Sequence, residues 1–484
     1  MYTLILILIP LIGSLAVLFF KNQKIVRPIA LLISVGQLLL TLYTYYIYGR
    51  VCPCNFKENI SWIPSLGINF HVALDGIGLF MVLLTNILLP LIILSGFGRN
   101  QERANIFYSL ILLMQASLIG VFVSQNAILF YVFWELALIP IYFIVLLWGG
   151  ERRQAITLKF FIYTLVGSLF MLVAFIYLFY LTSSNSFELK EFHKLTISSY
   201  DQNWIFLFLF LAFAIKMPLF PFHTWQPDTY TTAPTQGTML LSGIMLKMGV
   251  FGAIKWLLPI APLALAKWQN PIIILSLIGV VYASFLAFKQ KDLKRMIAYS
   301  SIAHVGLIGA GIFAGTFNSL QGVMVQMFAH GIYVVGLFYI SDIIEDRLQT
   351  RQISELGGIR KIAGNFTILF FIIVLGSIAL PLTNGFVGEF LLLLGIYDIN
   401  VWYTVIGGLG MIMGAVYMLF TYQRIMLGEL NKLTENFTDI KKHDWFVLVP
   451  ICILILFFGI HPQPLLDLTQ STILEIVKQI NIIN

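Results

Sequence analysis

The chain has 484 residues, 59% hydrophobic and 11% charged, with a mean hydropathy of +0.91 and a formal net charge of +7. A soluble domain carries roughly 25% charged residues, so a single water-soluble core is excluded, and runs of about 20 apolar residues predict a polytopic all-α membrane protein. The short alternating segments of a barrel are missing, and the basic residues are scattered through short loops with no soluble module, which speaks against nucleic acid as a partner and leaves the lipid bilayer.

Taken in chain order, hydropathy predicts about 14 transmembrane helices. They fall near 2–20, 28–48, 77–97, 105–124, 127–149, 156–182, 204–222, 234–258, 270–288, 296–314, 319–344, 366–397, 401–424 and 443–460. The first run lacks a basic leader and a small-residue cleavage site, so it is read as a retained helix and not a signal peptide. Cys52 and Cys54, after the second span, match no common metal spacing. They read as two free thiols, or as a local bridge if their loop faces an oxidising side; Cys452, in an apolar run, reads as packing. Beyond the last span, residues 465–483 place Leu466, Ile473, Val477 and Ile480 on one helical face, as in an interfacial or partner-facing helix.

Assigning alternate loops to opposite sides separates the basic residues. One side holds Lys21, Lys24, Arg27, Arg99, Arg103, Arg152, Arg153, Lys159, Lys289, Lys291, Lys294, Arg295, Arg347, Arg351, Arg360, Lys361, Arg424, Lys432, Lys441 and Lys442. The other holds Arg50, Lys57, Lys190, Lys194, Lys267 and Lys478. The positive-inside rule places the rich side in the cytoplasm and both termini outside.

Six ionisable residues interrupt the apolar runs: Glu135, Lys216, Lys247, His304, His330 and Glu389. A charge at the bilayer centre costs about 2.5–3.5 kcal/mol on insertion scales, so such residues are rare and chains of them mark proton relays. A buried structural ion pair explains any one of them; it explains six along one chain poorly. Burial and neighbouring charge can bring Glu and Lys toward exchange of protons, and histidine needs little help. Lys255, beside Trp256 near a span end, reads as snorkelling.

Two of the spans carry breakers. Met217-Pro218 and Pro221 follow Lys216, and Pro381-Leu382-Thr383-Asn384-Gly385 precedes Glu389. Lys216 would close a half-helix at its C-terminus and Glu389 would open one, placements that suit a cation and an anion. Corresponding interruptions predict two inverted five-helix repeats, each with a broken helix, at 105–258 and 270–424. Residues 1–104 would form an N-terminal three-helix segment, and 443–484 the last span with its amphipathic tail.

The segments FWELALIPIYFIVLLWG, KFFIYT, FAIKMPLFPFHTWQPD, APTQGTMLLSGIMLKMGVFG, DLKRMIAYSSIAHVG, QMFAHG and NGFVGEF resemble the antiporter-like subunits of respiratory complex I over residues 70–400. Multisubunit sodium/proton antiporters and membrane-bound hydrogenases share that fold, and stand as alternative complexes. The resemblance implies a proton-translocating, non-redox subunit of an NADH:quinone oxidoreductase. NADH, FMN, iron–sulfur clusters and quinone would belong to partner subunits, sister antiporter-like subunits would be neighbours, and the location would be a bacterial inner membrane or an organellar energy-transducing one. It further implies that Glu135 and Lys216 are the entry-side ion pair, Lys247 the central lysine, His304 and His330 the link between halves, and Glu389 the terminal group. Sister subunits generally carry lysine at that last position. Where the family often has Ala-His after QPD this chain has Thr229-Tyr230, and a tyrosine ionises only near pH 10, which argues against proton entry there. The second break reads PLTNG where relatives have a more glycine-rich turn.

Overall fold

The computed structural model describes residues 2–481. In chain order the helices and strands are α1 (Tyr2–Leu18), α2 (Gln23–Ile47), β1 (Lys57–Ile63), β2 (Ile68–Ala73), α3 (Gly76–Ser95), α4 (Ala104–Val123), α5 (Ala127–Trp148) and α6 (Arg153–Leu181). There follow α7 (Leu189–His193), α8 (Ser199–Lys216), α9 (Gln226–Thr232), α10 (Thr235–Leu240), α11 (Lys247–Gly252), α12 (Leu258–Ile260), α13 (Pro262–Lys289) and α14 (Leu293–Ala314). The rest are α15 (Phe317–Leu348), α16 (Gly364–Ser377), α17 (Asn384–Tyr397), α18 (Val401–Met426), α19 (Lys442–Ile460) and α20 (Gln463–Asn481). Among the described residues, 11 helices are long and apolar enough to cross a membrane, and α1, α16 and α17 are shorter apolar ones. The run expected at 366–397 is thus two helices. The amphipathic tail is helical as α20; Ile483 lies outside the described residues.

Local chemistry sets many of these ends. Asn126 caps α5 by accepting from Ile128 and Leu129 N–H groups, Asp292 caps α14 through Arg295 N–H at 2.8 Å, and Thr316 and Ser319 form a capping box on α15. The helix holding Lys247 runs from α10 to α12 through two π-helical turns, Leu241–Met245 and Ala253–Leu257, on either side of α11. Such turns widen a helix locally and are frequent at functional sites.

The chain packs as two units: Met1–Met217, Ile244–Trp268 and Leu468–Asn484 form one, Pro218–Gly243 and Gln269–Asp467 the other. In the first, α3 and α4 are buried along most of their length. The hairpin β1–β2 pairs antiparallel, closing through Gly67 at φ +64°, where a Cβ would also strike the Asn185 carbonyl. Isolated bridges Val72–Ser124 and Asn126–Glu188 tie the hairpin end to the loops after α4 and α6. Glu188 pairs with His71 and accepts from Asn69 and Asn126 at 3.3 Å. Burial pushes its carboxyl up, but these donors and the imidazole charge together hold it below its ordinary range.

Three readings of the sequence need correction. Lys255 does not snorkel: its ammonium pairs with Asp75, the residue that caps α3. Of the two readings of Cys52 and Cys54 the local bridge holds and the free thiols do not. Lys294, read as a loop residue, lies in the first turn of α14 and is 4% exposed, because the chain turns into helix at Leu293.

Candidate functional site

The six intramembrane residues fall three to each unit.

In the first unit α8 ends at Lys216, because Met217 precedes a proline and such a residue is disfavoured in the helical region. The Lys216 side chain is 2% exposed, its ammonium makes no hydrogen bond, and it lies 5.3 Å from the centre of the Trp134 ring. Trp134 immediately precedes Glu135 on α5. The carboxylate and the ammonium interact electrostatically, and the Ser168 hydroxyl lies beside Glu135, but no nitrogen–oxygen contact within 4.0 Å joins the two charges. The expected ion pair is therefore an attraction across a gap. Lys247 is fully buried in α11. Two residues on, a Cβ at Gly249 would come 2.7 Å from the Phe213 carbonyl and 2.9 Å from the Met217 N–H, so a glycine lets the Lys247 helix approach the end of α8.

The second unit holds a tighter cluster. His330, fully buried on α15, has its Nε2 3.0 Å from the Ser301 hydroxyl. The His304 and His330 ring centres are 6.0 Å apart, with the Tyr333 ring within 5.5 Å of both. His304 presents Nδ1 to the Ser300 carbonyl at 2.8 Å and Nε2 to the Ser377 carbonyl at 3.1 Å, with Glu389 Oε1 at 3.5 Å. A neutral imidazole has one N–H and can serve one of those carbonyls; the protonated ring serves both. Glu389 is 3% exposed and accepts from Gln326 Nε2 at 3.0 Å. A Cβ at Gly388 would strike the Gln326 backbone, so this glycine sets the approach of α17 to α15. Beside His304, Glu389, Ser377 and Tyr417 is a cavity of about 20 Å³. A buried water needs roughly 10–15 Å³ on the same measure, so the cavity has room for one.

The second break spans residues 378–383, with Ala379 at φ +54° and Leu382 at φ +75°. Left-handed non-glycine residues cost on the order of 1–3 kcal/mol each, and they occur in the turn where the sequence departs from a glycine-rich pattern. Glu389 lies five residues past Asn384, the first residue of α17. The helix dipole fades within a turn, so it supports the carboxylate less than the sequence suggests.

Sequence reasoning missed Ser301, Gln326, Tyr333 and the Ser377 carbonyl. Spacing could have found two of them: Gln326 is four residues before His330, and Ser301 three before His304, each on a shared helix face. Residues of this chain do not fit an iron–sulfur cluster, since two of its three cysteines are bonded together and Cys452 is buried apart. No group of three or more His, Cys, Asp or Glu is placed to hold a metal among the described residues.

A family model described as NADH:quinone oxidoreductase/Mrp antiporter, transmembrane, matches residues 124–414, which include all six. The chain belongs to that family. It is 40% identical over 478 residues to NADH-quinone oxidoreductase subunit M of Rickettsia conorii, covering 96% of this chain and 97% of that one. It is 38% identical over 475 residues to F(420)H(2) dehydrogenase subunit M of Methanosarcina mazei, with 96% and 95% covered. Among solved structures, a chain of respiratory complex I from Thermus thermophilus with bound NADH superposes with a TM-score of 0.91 at 29% identity, over 99% of this chain and 100% of that one.

Proposed function

We propose that this chain is a proton-translocating subunit in the membrane arm of an NADH:quinone oxidoreductase, moving protons outward while partner subunits pass electrons from NADH to quinone. The observation that carries the reading is the set of six intramembrane ionisable residues, five buried and Glu135 half-buried, inside a family match whose relatives are named as subunits of such enzymes. NADH, FMN, iron–sulfur clusters and quinone belong on this reading to partner subunits, and sister antiporter-like subunits are its neighbours in a bacterial inner membrane. The relative from a F(420)H(2) dehydrogenase favours a second reading, in which the same membrane subunit serves another electron donor.

The relay runs from Glu135 and Lys216 to Lys247, then through His330 and His304 to Glu389. Weakening the attraction between Glu135 and Lys216 lets the lysine release its proton. That step needs an external drive, since moving one charge against the membrane potential costs about 2.3 kcal/mol per 100 mV. The relay is carried by about 14 spans, with inverted repeats at 105–258 and 270–424 and both termini outside.

The test is mass spectrometry of the gently solubilised complex, followed by NADH-driven proton uptake in sealed inverted vesicles. NADH dehydrogenase and quinone-binding subunits should accompany the chain, and Glu135→Gln and Glu389→Ala should depress pumping with subunit content unchanged. Co-purification with cation/proton antiporter or hydrogenase subunits alone, or wild-type pumping by both variants, would reject the reading.

A further inference from the structure

On the proposed relay His330 takes its proton from Lys247, yet a buried group on the side rich in basic residues also stands at the head of a polar series that ends at that histidine. Lys294, in the first turn of α14, donates from Nζ to the Ala233 carbonyl at 2.7 Å. Ala233 ends α9, and two residues later the Thr235 hydroxyl donates to buried Asp342 of α15. Lys294 is thus held against the α9–α10 turn in the field of Asp292, Asp342, Glu345 and Arg351. Those groups grade outward: Asp342 is 4% exposed, while the side chains of Asp292, Arg351 and Glu345 are 18%, 26% and 40% exposed. Arg351 bridges Asp292 at 3.0 Å and Glu345 at 3.5 Å, so the buried ammonium lies behind a partly wetted charged rim.

Inward from Lys294, α9 carries polar groups toward the histidines. Tyr230 and Gln226 are four residues apart, on one face, and both are fully buried. The Gln226 side chain lies beside the Tyr230 hydroxyl, and among the described residues neither that hydroxyl nor Gln226 Oε1 has a hydrogen-bond partner. Gln226 Nε2 reaches the Ser301 hydroxyl at 3.4 Å, and that hydroxyl is 3.0 Å from His330 Nε2. Unpartnered buried polar atoms in series are where water chains bind in protein interiors.

We propose that Lys294 is a proton-loading group of the second unit, fed from the Asp292–Arg351–Glu345 rim and discharging to His330 through water held by Gln226, Ser301 and the Tyr230 hydroxyl, which orders that water without itself ionising. The step balances: the ammonium gives one proton to the chain, His330 Nε2 accepts one, and the amine is refilled from the aqueous side. The inference rests on the outward-pumping reading and adds to it a second supply of protons to His330, beside the one through Lys247. A plain alternative makes Lys294 a cation that caps the C-terminal carbonyls of α9, and a guanidinium would serve that purpose as well.

Arginine therefore separates the two, because it keeps the charge and the donor but cannot give up a proton at accessible pH. Lys294→Arg, Lys294→Met and Tyr230→Phe are measured in assembled complex, by NADH-driven proton uptake in sealed inverted vesicles with subunit content checked. Lys294→Arg and Lys294→Met are expected to lose pumping roughly a hundredfold, the low end of what a positioned proton-transfer group contributes, and Tyr230→Phe to lose a smaller share. Should Lys294→Met fail to assemble, Lys294→Arg and Tyr230→Phe still decide. Wild-type pumping by Lys294→Arg overturns the proposal and leaves a structural cap. Glu389→Ala run alongside keeps the two failures apart: if it loses pumping while Lys294→Arg does not, only the loading site falls. If both pump normally, the relay reading falls as well.

Discussion

Lys247 carries a fully buried amine between two π-helical turns. Its amine is kept at a cost that a leucine would avoid, which is the reason to expect that it exchanges protons. Lys247→Arg keeps the charge but cannot release it, so pumping should fall roughly tenfold or more in assembled complex, measured as NADH-driven acidification of inverted vesicles. Wild-type pumping by Lys247→Arg would remove protonation cycling from its role. Charges in apolar runs announce themselves, and for that reason Glu135, Lys216, Lys247 and Glu389 were legible from the sequence. Their partners were not. Ser301, Gln326 and Tyr333 are ordinary residues in a helix, and only the packing of α14, α15 and α17 gives them a task. Lys294 was hidden for the opposite reason: among Lys289, Lys291 and Arg295 it looks like one more loop cation, and only the turn into helix at Leu293 buries it.

Among the elements, both breaks were legible because proline states its effect locally, whereas the left-handed Ala379 and Leu382 follow from how the turn closes. The hairpin β1–β2 was missed since its first strand exposes Ile60 and Trp62, which blurs the alternation that marks a strand. Near that hairpin, α7 offers a pH test outside the membrane. Burial, aided by the Lys255 charge, pushes the His193 imidazole from 6.5 down to about 4. When α7 is released, the imidazole regains its ordinary value and binds a proton between those two pH values while the docked form does not. Docking is therefore strongest above about pH 6.5 and weakens as pH falls toward 4, by up to about 3 kcal/mol. Glu188, whose carboxyl is held below its ordinary range, loses its stabilisation in the same direction, as pH falls through its folded value. Hydrogen exchange of the 186–196 peptide in intact complex, corrected for the intrinsic rate, should show protection lost across that window. His193→Gln should shed most of the dependence; an unchanged profile would remove His193 as its source.

At the scale of the whole chain, the side each loop faces follows from pairings within each unit. The bridge Val72–Ser124 joins chain segments separated by α3 and α4, and Asn126–Glu188 joins segments separated by α5 and α6. Asp292–Gln352 likewise joins the two sides of the α14–α15 pair. Each bridge requires that the intervening helices cross the membrane an even number of times, which agrees with the alternation that sorted the basic residues. For the sign we propose, from the charge bias, that the α13–α14 loop faces the cytoplasm and the β1–β2 hairpin the outside. Two exposed positions read this out, Lys291 in that loop and Ser61 on β1. In a background with Cys52, Cys54 and Cys452 replaced by serine, Lys291→Cys should react with an impermeant maleimide only in inverted vesicles, and Ser61→Cys only in intact cells. Labelling of both from one side would mean an even number of crossings between them in place of the seven expected, and would break the alternation. A clean reversal would keep the count and turn the molecule over, which would place Lys294 on the release side and leave the loading site proposed for it without a supply.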